Sequence, residues 1–195
     1  MNKKRNIAIL LFDQAEVLDF AGPFEVFSVT AELNNLEPFE VFAVAAGLAP
    51  VITVNGLSVN PKYDFSSCPE VDILIIPGGF GTRKLVEDRP TLDWIARRHR
   101  ETEFTLSVCS GAMLLGALGL LDGQPYCTHH EVYGDLERIV PTGLPQPGHR
   151  FVRAGKIYTS AGISAGIDLS FHLVEQLLGA QAAERTAAYM EYIRR

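Results

Sequence analysis

The chain has 195 residues, 47% hydrophobic and 21% charged, with a formal net charge of −6. That length can bury one substantial core, and the composition excludes a disordered or membrane-embedded protein. An acidic surface repels phosphate backbones, and the basic runs Asn2-Lys3-Lys4-Arg5 and Arg97-Arg98-His99-Arg100 are short enough to be a solvated chain end and a helix face, so no nucleic-acid partner is expected.

In chain order, residues 6–12 form a continuous apolar run suited to a buried parallel strand. Residues 21–31 read as a helix opened by Gly22-Pro23, since proline suits a first helical turn. Residues 39–45 and 51–59 predict further strands, the second turning at Asn55-Gly56. Residues 72–76 are short and β-branched and stop at Pro77-Gly78-Gly79-Phe80-Gly81. A helix over 90–100 follows, then a buried strand over 104–108 and a helix over 110–121 that is apolar all round and so belongs inside the core. Residues 141–148 read as a surface loop. Phe151-Val152-Arg153 and Lys156-Ile157-Tyr158-Thr159 predict a hairpin about Ala154-Gly155, and residues 167–178 and 182–193 predict closing helices.

Strands alternating with helices imply an α/β fold whose mostly parallel sheet is sandwiched by helices. One domain over residues 1–195 is expected, because no linker separates two cores. The basic, then apolar, amino terminus is interrupted by Asp13, Glu16 and Asp19 before a signal peptide is complete, and no segment approaches transmembrane length. The three cysteines, an odd number without framework spacing, fit free thiols in a reducing compartment. A cytoplasmic protein without a membrane partner is therefore expected.

In an open α/β sheet, ligands sit beyond the carboxyl ends of the strands. Val108-Cys109-Ser110-Gly111-Ala112 places Cys109 on a sharp strand-to-helix turn, with small neighbours as in a nucleophile elbow. Helix amides there are expected to lower the thiol pKa. The alternative is that Cys109 is a small core residue. Gly78 and Gly79, at a neighbouring strand end, permit close backbone approach and can turn amides toward a developing anion, or are simply a turn. Asp19 lies between Leu18 and Phe20, where an unpaired carboxylate is costly to bury; it either caps the next helix or transfers a proton. Glu16 is expected to be solvated. His129 and His130 offer imidazoles for acid/base work, but adjacent residues of an extended segment cannot both face one site. Cys68 and Cys127 look incidental. No Cys, His and carboxylate spacing matches a metal ligand set.

Taken together, Leu18-Asp19-Phe20-Ala21-Gly22-Pro23, Ile76-Pro77-Gly78-Gly79, Val108-Cys109-Ser110-Gly111, Gly119-Leu120-Leu121-Asp122-Gly123, Thr128-His129 and the run Thr159-Ser160-Ala161-Gly162-Ile163-Ser164-Ala165-Gly166-Ile167-Asp168 resemble the ThiJ/PfpI superfamily. This is a branch of the class I glutamine amidotransferase-like fold, with a flavodoxin-like sheet. Within it, the residues resemble those of isonitrile hydratases and of the sensing domains of AraC-type transcription regulators. The resemblance implies Cys109 as nucleophile and Asp19 as its acidic partner. It also implies Gly79 and Ser110 as backbone contacts, His129 as a histidine near the cysteine, and Asp168 as a carboxylate opening a late helix. Ser110 stands where family peptidases have histidine, which argues against peptidase activity. The regulators continue into a helix-turn-helix domain beyond the point matching Arg195.

The implied chemistry is cofactor-free conversion of an isonitrile to an N-substituted formamide. The alternatives are a glyoxalase- or deglycase-like reaction on a reactive aldehyde, or a small-molecule or redox sensor. The implied partners are a small-molecule substrate and a second copy of the chain. For the latter, Phe24, Val26, Phe27 and Val29 give the early helix more apolar surface than one core-facing stripe requires.

Overall fold

The computed structural model describes residues 4–194. The chain enters through β1 (Arg5–Leu10), crosses by helix α1 (Val17–Glu32) and returns in β2 (Phe39–Ala45). The hairpin β3 (Val51–Ile52) and β4 (Ser58–Val59) precedes β5 (Tyr63–Asp64) and the fully buried β6 (Ile73–Ile76). Helices α2 (Thr82–Leu85) and α3 (Arg89–Glu101) lead into β7 (Phe104–Val108). A 3-10 turn over Cys109–Gly111 then opens α4 (Ala112–Ala117). Next come β8 (Pro125–Tyr126), α5 (Tyr133–Ile139) and β9 (Leu144–Pro145). The hairpin β10 (Phe151–Ala154) and β11 (Ile157–Ser160) is followed by α6 (Ala165–Leu178) and α7 (Ala180–Tyr189).

The central sheet has seven strands in the order β10-β11-β7-β6-β1-β2-β5. Every pairing in it is parallel except the β10–β11 hairpin. Parallel strands are covered on both faces, which is why the runs in β1 and β6 are continuously apolar rather than alternating. α1 packs on α6 and α7, and Gly22 lets it come close: a Cβ there would lie 2.8 Å from Ile167 Cγ1.

Several expectations are corrected. Helix α1 begins at Val17, four residues before the predicted start, because Val17 and Leu18 join the helix and leave Pro23 in its interior. Pro23 lacks the amide that would bond the Asp19 carbonyl one turn earlier. Asp19 therefore lies in the first turn of α1 and does not cap a later helix. α4 ends at Ala117, short of the predicted 121, as the chain reaches the surface and turns at Gly119, whose φ is +70°. The segment 141–148 is not all loop, since Leu144–Pro145 pairs with β8. Phe27 is fully buried, its ring edge-on to Phe39 at 5.4 Å between centroids. Val26 and Val29 are buried with it, so of the four apolar residues assigned to a possible dimer face only Phe24 is exposed. No helix among the described residues is long and apolar enough to cross a membrane.

Candidate active site

Three carboxyl-terminal strand ends converge here. The parallel register aligns β6 with β7, so Ile76 pairs with Ser107, and the Pro77-Gly78-Gly79 segment leaves one strand beside the elbow that leaves the other. Gly111 makes the approach possible, since a Cβ on it would lie 2.3 Å from the Ile76 carbonyl oxygen. Cys109 has a φ of +55°, a left-handed conformation that costs a side-chain-bearing residue about 1–3 kcal/mol and persists only where its surroundings hold it. Here they do. The Cys109 amide donates to the Ala161 carbonyl at 3.2 Å, and Thr128 Oγ1 donates to the Cys109 carbonyl at 2.7 Å. The elbow read from the sequence is present, and its strain is fixed from both flanking segments.

Asp19 comes from the first turn of α1 and is completely buried. Its Oδ2 accepts the Gly78 amide at 2.8 Å. Its Oδ1 is buried without a hydrogen bond of full geometry among the described residues, and the Cys109 side chain and Ile163 amide are near enough to favour its ionised form. Burial outweighs these contacts, and with the Glu16 charge it pushes the Asp19 carboxyl up to about 7. The thiol pKa is also raised, to about 12, by burial first and then by the Asp19 charge, against the Ser110 and Ile163 amides. The expected lowering is therefore reversed. The elbow leads only into a 3-10 turn and a six-residue helix, too little aligned backbone to offset removal of the sulfur from water.

Gly78 and Gly79 have a different role from the one expected. The Gly78 amide is bound to Asp19, and the Gly79 amide donates to Ser110 Oγ at 3.0 Å. Neither is free to meet a developing anion. Gly79 has a φ of +125°, and a Cβ there would lie 2.2 Å from the Gln14 carbonyl oxygen, so only glycine fits. Ser110 is buried, with its Oγ also bonded to the Thr82 hydroxyl at 3.1 Å.

A cavity of about 230 Å³ opens over Cys109, lined by Glu16, Gly79, Ser110, His129 and Ile163 among others. His129 lines it and packs so closely on Gly162 that a Cβ there would lie 2.1 Å from the ring. Burial lowers the His129 pKa. His130 lies against His129, the rings tilted by 37° with centroids 4.2 Å apart, and is outside the lining. Asp168 is held away from this cluster, paired with Arg150 and with the Tyr192 hydroxyl at 2.6 Å. Cys127 is buried, its thiol donating to the Thr159 carbonyl. Among the described residues no three His, Cys, Asp or Glu side chains converge on a metal-sized space.

Glu16 was expected in solvent; it is half-buried and lines the cavity. Ile163, Thr82, Phe80 and Arg83 were not recognised as parts of the site. Ile163 had a signal of sorts, lying inside the Thr159–Asp168 run, but nothing local announces that a β-branched residue takes a φ of +52° and turns its amide toward both Asp19 and Cys109.

A strained cysteine at a strand-to-helix elbow, backed by a buried carboxylate, places the chain among α/β domains organised around a cysteine elbow. Residues 5–176 match the DJ-1/PfpI family. The chain belongs to that family. It is 38% identical over 187 residues to an isonitrile hydratase of Pseudomonas putida, covering 95% of this chain and 78% of the relative. It is 25% identical over 170 residues to an HTH-type transcriptional regulator of Pseudomonas aeruginosa, of which the match spans only 46%. Among solved structures, a THiJ/PfpI family protein from Pseudomonas syringae superposes with a TM-score of 0.88 at 31% identity, over 98% of this chain and 76% of that one. An AraC family transcriptional regulator from Pseudomonas putida superposes at 0.80 with 19% identity over 95% of this chain and 99% of that one, which is a likeness of fold.

Proposed function

We propose that this protein is an isonitrile hydratase-like hydro-lyase with Cys109 as nucleophile and Asp19 as proton carrier. The observation that carries the reading is the buried Cys109–Asp19 pair beneath a cavity large enough for a small molecule, in a chain 38% identical to an isonitrile hydratase.

Burial pushes the thiol up to about 12 and the carboxyl up to about 7, so at neutral pH the proton of the pair rests on sulfur. A free thiolate is then scarce, so the proton leaves sulfur as the sulfur attacks. The Cys109 sulfur forms a bond to the terminal isonitrile carbon, its proton passes to the Asp19 carboxylate, and Asp19 delivers it to that carbon. The product is a thioimidate, R–N=CH–S–Cys109. Water then adds to the same carbon while the nitrogen takes up a proton. The C–S bond breaks, the sulfur recovers a proton, and R–NH–CHO leaves. Overall, one isonitrile and one water give one N-substituted formamide.

Incubation with a panel of isonitriles, followed by chromatographic detection of formamide, tests the reading. Formamide formed by wild type and lost in Cys109→Ser supports it. Hydroxyacid from 2-oxoaldehydes with no formamide would replace it with the aldehyde reaction, and binding without Cys109-dependent turnover would replace it with a sensor.

A further inference from the structure

The ionisable groups around the cavity are not equivalent. The Arg83 guanidinium lies over the Phe80 ring at 5.7 Å and shares the Asp135 carboxylate, 3.4 Å away, with Arg138, so part of its positive charge remains at the cavity rim. Burial keeps His129 toward its neutral form. The Glu131 side chain is 76% exposed and lies 3.9 Å from His130 Nε2, where water screens it. Glu16 differs from all three. It is half-buried at the cavity wall, and its carboxylate has no ion-pair or hydrogen-bond partner among the described residues. Its backbone is fixed, because its amide donates to the Gly78 carbonyl at 2.9 Å and Ala15 bridges to Gly79. It caps α1 by position, but its side chain makes no capping bond. A negative charge that no cation pairs among the described residues thus stands at the approach to the sulfur, where it also favours the charged form of the neighbouring His129.

We propose that Glu16 is a specificity-determining residue whose carboxylate selects ligands by charge, admitting neutral or cationic molecules to Cys109 and disfavouring anionic ones. The proposal deepens the reading above and rests on Cys109 as the reacting atom. It does not depend on which electrophile is the substrate. The Glu16 charge is felt at the site itself, since it raises the pKa of both Asp19 and Cys109.

Alkylation of Cys109 by iodoacetamide and iodoacetate tests it, because the two reagents have the same leaving group and similar size but differ by one negative charge. Rates are followed by peptide mapping at pH 9, above the raised Asp19 value of about 7, so that the Asp19 charge is the same background in wild type and in Glu16→Gln. The measured quantity is the ratio of the neutral to the anionic rate. Any change in the thiol pKa affects both reagents alike and cancels. In wild type at low salt, the ratio is expected to exceed that of free cysteine by about three- to tenfold, as one partly screened charge at short range would give. It should fall toward the free-cysteine value in Glu16→Gln, and in wild type at 0.5 M salt. Arg83→Gln should raise it. A wild-type ratio equal to that of free cysteine, or one unchanged by Glu16→Gln, would overturn the proposal; a ratio that falls with salt but not in Glu16→Gln would place the charge on Asp19 or the wider acidic surface instead. Complete failure of the neutral reagent to label Cys109 would also overturn it, since nothing would then enter past Glu16. Circular dichroism checks that Glu16→Gln is folded, and Glu16→Asp, which keeps the charge, should keep a ratio above that of free cysteine. Failure to hydrate isonitriles would not affect the test.

Discussion

The Gly78 amide donates to Asp19 Oδ2 at 2.8 Å across 59 residues of chain, joining the end of β6 to the first turn of α1. A Cβ on Gly78 would lie 2.8 Å from that same oxygen and 2.6 Å from the Ser110 nitrogen. The carboxylate, the glycine turn and the cysteine elbow are therefore one packed unit. The two ionisable groups share an environment that penalises both charges.

Replacing the carboxylate should separate the roles of the two acids near the elbow. Asp19→Asn is expected to lower formamide turnover by at least about 100-fold, the usual scale for a lost positioned proton carrier. Glu16→Gln should cost less than about tenfold on a neutral isonitrile. Steady-state kinetics on both variants decide the matter, and equal losses would mean that the wrong carboxylate has been assigned.

The raised Asp19 pKa also predicts a pH dependence of turnover. In the proposed mechanism Asp19 accepts the thiol proton only when ionised, so kcat/KM should rise with pH and level off above about 7. The rise should be absent from the residual activity of Asp19→Asn. Cys109 labelling should instead keep climbing beyond the ordinary thiol range, because burial holds the sulfur up to about 12. An inflection of labelling near pH 8.5 or below would refute a raised thiol.

The same shift contributes to stability with a definite sign. The folded Asp19 carboxyl holds its proton up to about 7, against an ordinary value of 3.8, so the folded state binds more protons between those values. Its contribution is full below about pH 4 and is lost as pH rises through about 7. Asp19→Asn removes this dependence. Urea denaturation should show the variant gaining on wild type by up to about 2–3 kcal/mol between pH 5 and pH 8. A difference that does not change with pH would show that the carboxyl is not destabilised by burial.

Ser110→Ala should be destabilising although it adds no bulk. It leaves the Gly79 amide without its acceptor and removes a partner of the Thr82 hydroxyl. An unsatisfied buried donor costs about 1–3 kcal/mol, and for the half-buried Gly79 amide the low end of that range is expected. Chemical denaturation measures this, and a cost near zero would mean that water replaces the hydroxyl.

Association, if it uses α1, should involve the exposed Leu18 and Phe24 and not Phe27. Light scattering on wild type should show a dimer. Phe24→Asp should weaken it while circular dichroism stays unchanged, whereas Phe27→Asp should unfold the chain. A wild-type monomer at micromolar concentration refutes the dimer.

The sequence by itself determined the layers and the placement of Cys109 at the strand-to-helix elbow. Fully buried parallel strands need continuous apolar runs, and a tight strand-to-helix turn needs small residues, so residues 6–12, 72–76 and Val108-Cys109-Ser110-Gly111 carry their structure locally. The resemblance of the strand-end motifs brought Asp19 to Cys109. Tertiary structure decided everything that depends on what lies across the gap. The start of α1 lay outside the local proline signal because packing favours the extra turn over the bond lost at Pro23. The thiol pKa reversed because desolvation depends on every neighbouring segment, while the helix expected to lower it has only six residues. The glycine amides were already taken by Asp19 and Ser110, and Glu16 faces the cavity because its amide is tied to Gly78. None of these partners is adjacent in sequence, so no local pattern records them.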